Sequence, residues 1–297
     1  MRATKSTQMQ SQSTSIRTSQ SVCKDWFFSK KSDKKWIQRF RCNLCNKSFS
    51  TASFEPCYLQ KKRQLNQKIF ELLSSGVSLR RTSYLLSINR KTVYRKFLFL
   101  GKKSILDLRS YNLQFTKTDH IEFDDLETFE HTKCKPLSVS LAVDHNSRRI
   151  LGFSVSSMPA KGRLAIKSIK KYGPRCDNRR SGRALLFEFL KGLIHKKSII
   201  KSDQNPHYVN DVKNHFPSCS HVQFKGQRGA DTGQGELKKT FFDPLFSLNH
   251  TCAKLRADVN RLIRKTWCTT KKAENLRYHL AMYALYHNLS LVSKKRV

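Results

Sequence analysis

Negative charge is what this 297-residue sequence has least of: 21 Asp and Glu stand against 58 Lys and Arg, a formal charge of +37. A surface that repels itself so strongly calls for a polyanionic partner, with nucleic acid the first candidate and an anionic membrane surface the second. Long apolar runs are also missing. None approaches the roughly 18–20 residues that span a bilayer, and residues 1–22 have no apolar core of the signal-peptide kind. These absences predict a soluble, cytoplasmic protein that does not span a membrane. The nine cysteines are odd in number and scattered, which in a chain without an export signal predicts reduced thiols. No histidine precedes His120, and no internal repeat is present.

What is there falls into segments of distinct character. Residues 1–22 are rich in Ser, Thr and Gln and too poor in large apolar groups to offset the entropy of ordering, so they predict a disordered tail. Residues 23–57 are aromatic and basic, with WFFSKKSDKKWIQRFRCNLCNKSFS at their centre. Such a segment has too few aliphatic side chains for a conventional core and needs a staple. A structural zinc site takes four Cys or His ligands, usually as two close pairs. Cys42 and Cys45 form one pair, while Cys23 and Cys57 are the other nearby thiols. A Zn²⁺ site of these four and a degenerate finger that binds no metal are both open.

Residues 60–100 change to a helical pattern. Ile69, Leu72 and Leu73 share one helical face, Gly76 stops the helix, Ser78 caps a second helix closed by Leu85 and Ile88, and Asn89 caps a third. That third helix carries Arg90, Lys91, Thr92, Tyr94 and Arg95. The layout is a helix-turn-helix, in which the third helix would enter a major groove of double-stranded DNA. A purely structural bundle is the alternative. Residues 101–117 read as a basic linker.

From residue 118 the pattern is α/β. A first strand ends at Asp124, the runs 136–144 and 148–156 make a hairpin, residues 184–196 are helical, SIIKSDQNPHY holds a strand ending at Asp203, and 219–224 is another strand. A Gly-rich connection, GQRGADTGQG, leads to a helix starting at Asp243-Pro244 and running towards Thr266, and residues 271–288 form a last helix. This order predicts a ribonuclease-H-like mixed sheet with flanking helices. Asp124 and Asp203 would then sit at neighbouring strand ends, where two carboxylates repel unless a divalent cation binds between them. Mg²⁺ or Mn²⁺ suits hard oxygen ligands, and a pair of such ions can clamp both oxygens of an in-line phosphoryl displacement.

Taken together, FDDLETFEHTKCKPLSVSLAVD with RRILGFSVSSMPAKG, IKSDQNPHY and the stretch from Asp243 to Asn288, including RLIRKTWCTTKK, resemble the DDE-type transposases of small bacterial insertion sequences. The likeness is to the insertion-sequence-one and ISXO-like groups and covers nearly all of the chain from residue 23. It implies DNA cleavage and strand transfer at transposon ends, and a homo-oligomer in a synaptic complex. The first catalytic acid falls on Asp124, with Asp125 beside it, and the second on Asp203. The third falls on Asn249 or on Glu236, and the two stay open. With metals at the acids, Arg261, Arg264 and Lys265, on the helix after Asn249, are expected to hold phosphates nearby, with Lys161 and Arg163 as further backbone contacts; an ordinary solvated basic face is the alternative. A decayed transposase that only binds or represses at element ends is the competing reading, and a basic RNA-binding protein is a third.

Overall fold

The computed structural model describes residues 21–30, 35–225, 243–262 and 269–293. All but the last two residues of the expected disordered tail lie outside them. The chain divides into two compact units, Met1–Asn66 and Gln67–Val297.

In the first unit, strands β1 (Val22–Lys30), β2 (Lys35–Cys42) and β3 (Ser48–Ser50) form an antiparallel sheet in that order. Aromatic rings supply the packing that aliphatic residues cannot: Phe40 stacks on Phe49 at 5.7 Å, and Phe54 meets Phe49 edge-on at 5.4 Å.

The second unit opens with helices α1 (Asn66–Ser74), α2 (Leu79–Leu85) and α3 (Arg90–Asn112). The expected punctuation is present. Gly76 turns with φ 77°, the Ser78 hydroxyl accepts the Arg81 N–H, and Asn89 Oδ1 accepts the Lys91 N–H at 2.8 Å. The stretch read as a linker is different. Residues 101–112 continue α3, whose face of Leu100, Gly101, Ser104, Leu108 and Asn112 is buried. Gly101, Ser104 and Asn112 hold most of that face, which hid its helical period in the sequence.

Eight elements follow. They are β4 (Thr118–Phe129), β5 (Pro136–Asp144), β6 (Ile150–Ser157), α4 (Leu164–Tyr172), α5 (Arg179–Leu190), β7 (Ile194–Asp203), α6 (Pro206–His215) and β8 (Ser220–Phe224). Helices α7 (Phe246–Asp258) and α8 (Ala273–Ser293) complete the unit. The five strands lie in the order β6-β5-β4-β7-β8, with β4, β5 and β6 antiparallel in turn and β7 and β8 parallel to β4. One buried cluster joins Leu126, Val139, Leu141 and Ile150 of the sheet to Leu248 and Leu255 of α7 and to Leu280 and Tyr283 of α8. A second joins Ile121, Phe123 and Ile200 to Leu186 and Phe187 of α5 and to Tyr208 and Val212 of α6. Helices therefore cover both faces of a mixed five-stranded sheet, which makes the unit α/β.

The last helix runs past its expected end at Asn288 to Ser293, and three further boundaries differ from expectation. β4 runs through Asp124 to Phe129 instead of ending there. The helix expected at 184–196 begins earlier and ends at Leu190, because Ile194, His195 and Lys196 already belong to β7. Asp243 caps a turn, its Oδ1 accepting the Leu245 N–H, so α7 starts only at Phe246; it stops at Asp258, short of Thr266. Among the described residues no helix is long and apolar enough to cross a membrane.

Candidate active site

The parallel register of β4 and β7 brings the scarce acids together. Glu122 pairs with Lys201, and the same two-residue step along each strand reaches Asp124 and Asp203. Burial, followed by the Asp203 charge, raises the Asp124 carboxyl from 3.8 to about 6, against the opposing hydrogen bonds from the Asp125 N–H and Tyr208. Asp203 is also raised, first by burial and then by the Asp125 charge, while the Asn205 N–H pulls the other way.

The two carboxylates are partnered unequally. Asp124 Oδ1 accepts the Asp125 N–H at 2.6 Å and the Tyr208 hydroxyl at 3.0 Å. Asp203 Oδ1 is buried without a hydrogen-bond partner. A buried orphan oxygen is costly, and a divalent cation between the acids would relieve both that cost and their repulsion. Mg²⁺ keeps several waters and takes one or two carboxylates together with substrate phosphates. The pair fits that ion.

A network that sequence reasoning missed holds the pair in place. Asp125 projects to the opposite face of β4, where the buried Arg183 donates to Asp125 Oδ2 at 2.8 Å and to Asp211 Oδ2 at 2.7 Å through a second nitrogen. The Ser140 hydroxyl donates to the other oxygen of Asp125. Tyr208 packs its ring on Phe123 at 4.8 Å, with the Arg183 guanidinium 5.2 Å above it. Burial and the nearby acids raise its hydroxyl far above the ordinary value, so it stays a donor. One signal was readable in advance: Asn205-Pro206 starts a helix directly after Asp203, which places Tyr208 and Asp211 on its early turns.

Helix α7 is fixed on the other side. Glu122 is fully buried; its Oε2 accepts the Leu248 N–H at 2.7 Å and its Oε1 meets His145 Nδ1. The helix passes Asp124 at Cys252, whose thiol is pushed up to about 12 by burial and then by the Asp124 charge. Asn249, one turn earlier, is exposed and donates its amide to Asp243 Oδ2 at 2.9 Å. Glu236 lies outside the described residues.

The expected DNA contacts are distributed. Arg90, Lys91 and Arg95 are exposed at the start of α3, while Thr92 and Tyr94 are half-buried. Lys161 is exposed but paired with Glu127 at 2.7 Å, and Arg163 is exposed before α4. Arg261 is not on α7: it lies past the helix end, where Nη1 donates to the Thr269 carbonyl at 2.8 Å. Arg264 and Lys265 lie outside the described residues.

The four thiols do not gather into one site. Cys23 donates to the Arg41 carbonyl and Cys57 to Glu55. Cys42 and Cys45 remain a pair, in which backbone N–H groups of Cys45 and Leu44 favour the Cys42 thiolate. Among the described residues, no three His, Cys, Asp or Glu side chains are grouped to hold a metal ion. Comparison with protein-family models and with curated proteins finds no match for the chain.

Proposed function

We propose that the chain is a DDE-type transposase, a metal-dependent phosphoryl transferase acting on double-stranded DNA at element ends. The observation that carries the reading is the Asp124–Asp203 pair, two acids raised by burial and neighbouring charge, with a buried orphan oxygen, in a chain of +37 charge. The strand order β6-β5-β4-β7-β8 supports a ribonuclease-H-like core, and the capped turns around α2 and α3 support a helix-turn-helix.

Asp124 and Asp203 would hold Mg²⁺ or Mn²⁺, which when bound supplies a Lewis acid for attack at phosphorus and for the leaving oxygen. The chain's own residues prepare that site. Tyr208 and the Asp125 N–H fix one oxygen of Asp124, Arg183 locks β4 itself to α6 through Asp125 and Asp211, and Glu122 ties α7 to the sheet. Exposed cations on α3 would hold phosphates, and a homo-oligomer would bring two ends together.

The absence of a third grouped acid among the described residues favours a second reading, a protein that binds element ends without cutting them. Incubation of end-containing duplex with Mg²⁺ separates the two. Nicked product that disappears in Asp203→Asn, with duplex binding retained, supports the enzyme. Undiminished nicking in that variant removes the carboxylates from the chemistry, and no product with any divalent ion leaves the binder.

A further inference from the structure

The small sheet of the first unit carries a surface that the proposed function does not use. Ile37, Arg39 and Arg41 alternate along β2 and so share one face, and Phe28 joins them through its pairing with Ile37. An irregularity between Lys24 and Phe27 brings the Trp26 ring to 6.4 Å from Phe28, and the Arg39 guanidinium lies 5.4 Å from Trp26 and 5.9 Å from Phe28. Trp26 is nonetheless 57% exposed, and Arg41, opposite Cys23 on the same face of β2 as Arg39, is exposed too. The unit's aromatic cluster of Phe40, Phe49 and Phe54 does not include these rings.

We infer that this face of β1 and β2 is a stacking platform for single-stranded DNA. Unpaired bases offer an apolar π-face to an exposed indole, while their phosphates need cations at the same spacing; duplex DNA buries its base faces in the stack and offers only the second. Arg39 and Arg41 supply the cations. Charge complementarity selects this occupant over an apolar one, because residues 21–66 hold 11 Lys and Arg against 3 Asp and Glu. The platform rests on its own geometry and stands whether or not the chain cleaves DNA.

The test uses the full chain and a labelled oligo(dT) followed by fluorescence anisotropy, at raised salt so that phosphate contacts contribute less. Trp26→Ala weakens oligo(dT) binding by about tenfold, the range of one lost base stack, with duplex affinity unchanged and Trp26→Phe restoring most of the loss. Circular dichroism checks that the exposed substitution leaves the fold intact. Unchanged oligo(dT) affinity in Trp26→Ala overturns the inference. So does equal weakening for duplex, or a loss produced instead by Trp36→Ala, which would place the stack on the opposite face.

Discussion

At the scale of single residues, the proposed metal site and stability pull against each other at Asp124. Its folded value of about 6 lies above the ordinary 3.8, so between those limits the folded chain holds a proton that the unfolded chain has lost. The contribution of Asp124 to metal-free stability is therefore greatest below this window, falls as pH rises through it, and levels off above about 6; His279 acts in the opposite sense over the same range. Asp203→Asn removes one source of the repulsion and is expected to raise the metal-free melting temperature at pH 8 by about 2–4 °C, a gain of roughly 1 kcal/mol. Differential scanning calorimetry with and without Mg²⁺ checks this: the ion should stabilise the wild type and not the variant. Tyr208→Phe removes the hydroxyl from Asp124 Oδ1. A hydrogen bond to a charged group contributes about 1.5–3 kcal/mol, so this variant should lose nicking activity while duplex binding is retained.

At the scale of elements, the contact between α3 and α8 allows no extra atom. A Cβ on Gly101 would lie well inside van der Waals contact with Tyr278 Cβ, and Gly101→Ala is expected to destabilise by about 1–3 kcal/mol in urea unfolding, as overpacking does. On α8 itself, the half-buried His279 has its Nε2 enclosed without a partner, and burial with the Arg261 charge pushes it down to about 3. Between 6.5 and that value the unfolded chain binds the proton that the folded chain refuses, so the His279 contribution to stability falls on acidification through this window, by up to about 1.4 kcal/mol per pH unit. His279→Leu should flatten that limb of the pH profile. The caps at Ser78 and Asn89 were legible because capping is local. The length of α3 was not, since Gly101 meets Tyr278 of α8 and Asn112 bonds to the Ile150 carbonyl of β6, partners far along the chain.

At the scale of the whole molecule, charge governs the partner. Duplex binding should weaken steeply with salt, and Arg95→Gln should lower affinity and reduce the slope of log K against log salt by about 1, as one lost phosphate contact does. Asp124 and Asp203 could be found in the sequence because acids are scarce and strand order placed them side by side. The bonds of Arg183, Asp211 and Tyr208 could not, although the helix start at Asn205-Pro206 was readable, because their partners lie far along the chain and meet only once α5 and α6 pack on the sheet. The same is true of Arg261, whose place depends on α7 ending at Asp258. The central claim is that the two acids hold a divalent cation. Electron paramagnetic resonance of free Mn²⁺, titrated with the full chain, tests it most directly. Ion bound by the wild type and lost in the double variant Asp124→Asn, Asp203→Asn is the expected outcome; equal binding by both chains would remove the carboxylates from the metal site.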